Sequence, residues 1–398
     1  MARSITATVL IGFTALLAGC GGGGGGGGGP ISGTDIFADT MVVLGYNDLG
    51  MHCMNQDFSE IMILPPFNNL RAQVIDRSGE EPRIVTGGVN LTYSVLQNTH
   101  SADKTNFWTY AFALLGVSPA PNVGLTGSGM SGTMSLTGQN DWVATGIPIT
   151  PLNDSRVLNA YPLGVITVMS GGTALARTQA TVPVSWEISC NLCHDSPGVS
   201  TATDILRAHD RLHGTTLEQQ KPVACGRCHA QPPLASILPG DPARHTLSRA
   251  MHGAHASRMG SVGVDVVCYA CHPGIQTQCL RDVHASKGMT CLDCHESMEA
   301  VADPGRRPWV DEPRCGDCHT RAGFEFEQAN TLFRDSKGHH QVHCAACHGS
   351  PHAVVPTTVQ ADNLQSLALQ GHAGPIDTCT VCHRNRPDDA FTHRLSGG

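Results

Sequence analysis

From Cys190 onward, one short phrase, Cys-x-x-Cys-His, recurs seven times in the 398-residue chain. The occurrences are Cys190, Cys193 and His194; Cys225, Cys228 and His229; Cys268, Cys271 and His272; Cys291, Cys294 and His295; Cys315, Cys318 and His319; Cys344, Cys347 and His348; and Cys379, Cys382 and His383. Two thiols at this spacing can add to the two vinyl groups of a haem, and the adjacent histidine then lies under the ring as proximal iron ligand. Zinc ribbons also use paired cysteines, and redox-active dithiols use a single such pair, but neither requires a histidine immediately afterwards. Histidine makes up 21 of the 398 residues, so chance agreement at all seven sites is on the order of one in a billion for this motif. The expected chemistry is covalent attachment of seven c-type haems through fourteen thioethers, with seven proximal histidines.

Successive first cysteines stand 35, 43, 23, 24, 29 and 35 residues apart. That leaves a turn or a short helix between sites, too little for an ordinary apolar core, so the porphyrins themselves must be the core and must lie close together. With these motifs, residues 188–393 resemble the multihaem c-type cytochromes of bacterial respiratory chains. The resemblance implies mostly bis-histidine iron, and twelve further histidines beyond residue 194 are candidate distal ligands: His209, His213, His245, His252, His255, His284, His339, His340, His343, His352, His372 and His393. Met251, Met259, Met289 and Met298 are weaker candidates. Local phrases similar to that family imply that His252 and His255 serve two different haems, and that His284, His372 and His213 serve the fourth, seventh and second sites. One of His339, His340, His343 or His352 would serve the sixth, and the first and fifth would take ligands from elsewhere in the chain. No Cys-x-x-Cys-Lys occurs, so the lysine-ligated catalytic haem of pentahaem nitrite reductases is not expected. The phrase from Gly338 to Ala353 is similar to sequences in octahaem respiratory enzymes and identifies no substrate.

These sites must be positioned by something, and the preceding residues are of another character. Residues 31–187 contain one cysteine, Cys53, and two histidines, His52 and His100. Short apolar runs such as Met41 to Leu44, Val89 to Val95, Val165 to Val168 and Thr181 to Val184 alternate with turn pairs such as Gly87-Gly88 and Gly171-Gly172. Many short strands with such punctuation predict an all-β domain, a sandwich or barrel, with a short helix around Lys104 to Leu115. The expected fold is therefore an N-terminal all-β, sandwich-like domain (31–187) followed by a C-terminal haem-packed segment (188–398) of short helices and loops with little regular structure. Met51-His52-Cys53-Met54 with His100 could in principle hold copper, although neighbours on a strand point to opposite faces; a turn with packed side chains is the blander reading. Setting aside Cys20, discussed next, and the fourteen motif cysteines leaves Cys53 and Cys279 of the seventeen. They make either one disulfide joining the two halves or two buried free thiols.

The first residues read as an export signal. Arg3 precedes an apolar run from Ile5 to Ala18, shorter than the ~20 residues a membrane span needs but suited to a signal-peptide core. Leu17-Ala18-Gly19-Cys20 resembles the bacterial lipobox, which implies a signal peptide over 1–19, a lipidated Cys20, and a place at the outer membrane, since Gly rather than Asp follows the cysteine. Gly21 to Gly29 and Pro30 then form a flexible tether (20–30) of roughly 15–18 Å r.m.s. length. The formal net charge of -8 argues against a nucleic-acid partner. Seven ferric haems with their propionates add about -7 more, favouring redox partners with basic docking faces. The expected role is electron relay at the cell envelope. A terminal reductase with one open-site haem and a structural part of an extracellular conduit are the alternatives.

Overall fold

The computed structural model describes residues 40–390 and 393; the expected signal peptide, Cys20 and the glycine tether lie outside the described residues. The first half is built from antiparallel sheets. One contains β1 (Met41–Tyr46), β4 (Asn68–Asp76), β5 (Arg83–Ile84), β8 (Ser135–Leu136) and β9 (Trp142–Ile147), and the other β6 (Asn90–Val95), β7 (Ser131–Thr133), β10 (Leu163–Ser170) and β11 (Thr173–Thr181). Short β2 (His52–Cys53) and β3 (Ile61–Met62) pair with β12 (Val184–Ser185) and β13 (Val223–Ala224) respectively, both in parallel.

Alternation along the strands decides what lies on each face. Leu70, Ala72 and Val74 of β4 and Val43 of β1 point into one apolar core with Leu91, Tyr93, Val95, Ile166 and Val168 of the other sheet. The opposite face of β1 and β4 is also buried: Val42, Leu44, Tyr46 and Ile75 pack on Ala345, Ala346 and Val381 from the second half. The strands β10 and β11 turn on Gly171 and Gly172, at φ 53° and 84°, the two positive values a type I′ hairpin requires. The expected helix appears as α1 (Phe107–Leu115), stopped by Gly116 in the left-handed region.

The second half consists of short helices and 3₁₀ turns with little regular structure. Its α-helices are α2 (Thr201–His213), α3 (Leu247–His255), α4 (Cys291–His295), α5 (Met298–Val301), α6 (Cys315–Cys318), α7 (Cys344–His348) and α8 (Gln360–Gln370). Chain order does not cut the molecule cleanly at residue 187, because β13 comes from the second half and pairs with β3 of the first. No helix among the described residues is long and apolar enough to cross a membrane.

Candidate functional site

A single helical turn sets the geometry of each motif. In five of them the histidine N–H donates to the carbonyl of the first cysteine: His194 to Cys190, His229 to Cys225, His272 to Cys268, His319 to Cys315 and His383 to Cys379, at 2.8–2.9 Å. In the other two the motif is itself the helix, α4 or α7. Residues i, i+3 and i+4 of such a turn share one face, so both thiols and the imidazole can meet one planar ring. All fourteen motif cysteines are free of disulfides, as are Cys53 and Cys279; no bridge joins the two halves through that pair. Burial pushes the thiols of Cys190, Cys225, Cys315 and Cys382 up to about 11, and those of Cys344 and Cys347 to about 12. At these six cysteines that is opposite to the depressed thiol of a redox-active dithiol, whereas the neighbouring Cys291 thiol lowers Cys268.

The tertiary fold then brings one more histidine to each motif histidine, a different one every time. Numbering the sites in chain order, the ring centroids stand 6.4 Å apart for His194 and His255 (site 1), 6.4 Å for His229 and His209 (site 2), and 6.1 Å for His272 and His252 (site 3). They stand 6.1 Å apart for His295 and His352 (site 4) and 6.0 Å for His319 and His284 (site 5). Site 6 pairs His348 with His393 at 5.8 Å, and site 7 pairs His383 with His339 at 6.0 Å. At the usual imidazole–metal distance of about 2.0–2.1 Å, two imidazoles on opposite sides of one ion put their centroids roughly 6 Å apart. The spacing fits an iron with two axial histidines. Among the described residues no group of three or more His, Cys, Asp or Glu side chains converges on a bare ion. A haem supplies four nitrogens of its own, so two imidazoles are all the chain must add.

The other ring nitrogen gives an independent test of fit. Nδ1 lies against the carbonyl of His245 in His229 (2.9 Å), of Ser248 in His252 (2.8 Å), of Met251 in His255 (2.7 Å) and of Glu325 in His393 (3.3 Å). In His284 it lies 3.1 Å from an Asp282 carboxylate oxygen. Carbonyls and carboxylates only accept, so Nδ1 carries the proton and Nε2 keeps its lone pair for a metal. Burial also pushes His272, His295 and His348 down to about 4, which keeps them neutral at pH 7, as ligation requires. Beside His319 an open cleft of about 570 Å³, lined by Arg314, Arg321, Phe324 and Phe326, lies within the size range of cofactor pockets.

Five of the twelve distal candidates face no motif histidine. The exposed His213 abuts His209, at 4.8 Å between rings, and His340 abuts His339 at 4.8 Å. His245 offers its carbonyl to His229, and His372 is exposed beside Asp377. His343 is fully buried near Tyr46, with its Nε2 donating to the Gln139 carbonyl; that bond occupies the nitrogen a ligand would need.

Several expected pairings are corrected by these contacts. His284 precedes the fourth motif in sequence but faces His319 of the fifth, because residues 281 and 283 hydrogen-bond to 352 and 354 and carry His352, not His284, to site 4. His209, one turn before His213 on α2, takes site 2. Site 6 is met by His393 and site 7 by His339, not by the neighbouring His372. The ring of His252 faces His272 and that of His255 faces His194.

The Met51 to Met54 run and His100 do not form a metal-ligating group among the described residues: the buried His52 donates through Nε2 to the Pro65 carbonyl at 2.7 Å, and His100 is tied to Thr99, Asp103 and Asp154. Sequence reasoning missed the polar supports around the sites: the buried Arg281–Asp362 pair at 2.6 Å and the Asp282 contact with His284. No protein family, curated protein or solved structure matches this chain.

Proposed function

We propose that the protein is a seven-haem c-type cytochrome that relays electrons at the cell envelope, tethered through Cys20. The observation that carries this reading is the pairing of all seven motif histidines with seven different histidines at the spacing of axial ligation. Bound haem iron supplies one-electron exchange between its ferric and ferrous states. The motif cysteines would hold each ring by two thioethers, the paired histidines would ligate its iron, and the Nδ1 partners would fix the imidazole planes. Paired imidazoles at every site leave no position for a small substrate, which favours relay over a reductase. Two histidines per iron also keep the potentials low, since it is Met/His ligation that raises them. The acidic loaded surface suits soluble redox partners with basic faces.

Mass measurement and spectroscopy of the exported holoprotein test this. The expected result is a mass seven haems above the mature chain, a wholly low-spin ferric spectrum, and little carbon monoxide binding after reduction at neutral pH. Four or fewer haems would show that several motifs are unused. A stoichiometric high-spin signal, lost on adding nitrite or hydroxylamine, would replace the relay with a reductase.

A further inference from the structure

We infer that the seven sites form one row in the order 2, 1, 3, 4, 5, 6, 7, so that its ends are sites 2 and 7 and the first motif of the sequence is internal. The inference rests on the haem reading above and adds what that reading lacks, which two sites stand at the ends of the row.

Each link is carried by a shared element. Helix α2 joins sites 1 and 2: His194 lies 3.9 Å from Asp204, and His209 sits five residues further along the same helix. Helix α3 joins sites 1 and 3, since His255 and His252 lie one turn apart on it. Sites 3 and 4 are joined through α5, which follows the site 4 motif of α4 and packs both on α4 and on α3, the helix that carries His252. Sites 4 and 5 meet where Arg281 N donates to His352 O and Val283 N to Val354 O, both at 3.0 Å, setting His352 and His284 on adjacent segments. Phe326 bridges sites 5 and 6, with its ring 5.9 Å from His319 and 5.5 Å from His393. Sites 6 and 7 share an apolar cluster containing Ala346, Cys347, Val381 and Cys382, and Ile376 N donates to Cys347 O.

One extra link, the four residues from His348 to His352, folds the row back at site 5 without creating a new end. Among the described residues, no hydrogen bond, ion pair or ring contact joins residues 225–246 to residues 281–393. Both ends are pinned to the β half. Site 2 follows directly on β13, which pairs with β3. At site 7, Arg77 donates to the carbonyls of Thr380 and Val381 at 2.8 and 3.1 Å. The strands thus fix where the row begins and stops.

The test is a structure of the haem-loaded full chain by electron cryomicroscopy, preceded by haem counting by mass. The expected result is that the iron under His229 has its nearest iron at His194, that the iron under His383 has its nearest at His348, and that neither has a neighbour on its far side. Seven irons with the His194 iron at an end, or with site 2 or 7 flanked on both sides, would overturn the order while leaving the cytochrome reading intact. Fewer than seven haems by mass would overturn that reading itself, and the row with it.

Discussion

Asp282 gives His284 an environment distinct from those of the other distal histidines, because its carboxylate rather than a carbonyl takes the Nδ1 proton. A carboxylate partner makes an imidazole a stronger donor to its metal and favours the more highly charged oxidation state. Site 5 is therefore expected to hold the lowest potential of the row. Asp282→Asn keeps an acceptor for the backbone N–H groups of His284 and Ala285, which now bond to the same side chain. It should raise one haem potential by on the order of 30–60 mV, about 1 kcal/mol for a one-electron couple, and leave six unchanged in a spectropotentiometric titration. No shift in any component would show that Asp282 does not tune the site. The contrast with the motifs explains what could be read in advance at this scale. Cys315, Cys318 and His319 are constrained within one helical turn, so their chemistry is visible in five residues. The ring that faces His319 is placed by backbone bonds between residues 281–283 and 352–354, a tertiary fact with no trace in local spacing.

On the proposed reading helix α3 delivers ligands to two sites at once, so its two histidines should fail separately. His255→Ala removes the partner of His194 and is expected to produce one high-spin haem per molecule, with six remaining low-spin; His213→Ala, on α2 but facing no motif ring, should leave the spectrum unchanged. Equal spectra for the two variants would contradict the assignment of site 1. In the β half the corresponding weak point is where β1, β4 and β9 approach. Asp141 is fully buried there and accepts from Tyr46 Oη at 2.9 Å and Arg71 Nε at 2.6 Å. Burial alone would raise its carboxyl, but the bonds from Arg71 and Thr137 hold it below the ordinary range. A depressed carboxyl contributes stability above its unfolded value, about 3.9, and loses that contribution as pH falls through the folded value. Asp141→Asn should cost about 3 kcal/mol, the penalty of leaving a buried partner charge, and should flatten the acid limb of the unfolding midpoint against pH; an unchanged limb would place the acid sensitivity elsewhere. The longer strands were legible because apolar residues and turn glycines mark them. The two-residue parallel pairs were not, since β3 and β13 are too short to show a period and lie some 160 residues apart.

The distribution of apolar burial sets the two halves apart more sharply than secondary structure does. The main core draws on Val43 through Val184 almost throughout, and only Ala224, Leu234 and Leu238 join its fully buried members from beyond. The second half buries chiefly small or scattered residues, such as Ala270, Ala345, Ala346 and Val381. On the proposed reading porphyrins lie between its paired histidines, and the apolar area that holds residues 188–390 together is mostly cofactor surface. Folding of this half is then linked to loading, because a group that binds only the native state stabilises it. The β half has its own core and should not depend on loading to the same degree, although Val42, Leu44 and Ile75 would lose their cover. In cells that export the chain but cannot attach haem, limited proteolysis should digest the chain beyond about residue 240 and leave a resistant fragment that spans residues 40 to about 240, since β13, Leu234 and Leu238 belong to the core of the β half. The loaded protein should resist over its whole described length under the same protease. If the unloaded second half were as resistant as the loaded one, and melted with it in a single transition, its core would have to be protein rather than haem, and the pairing of imidazoles would need another cause.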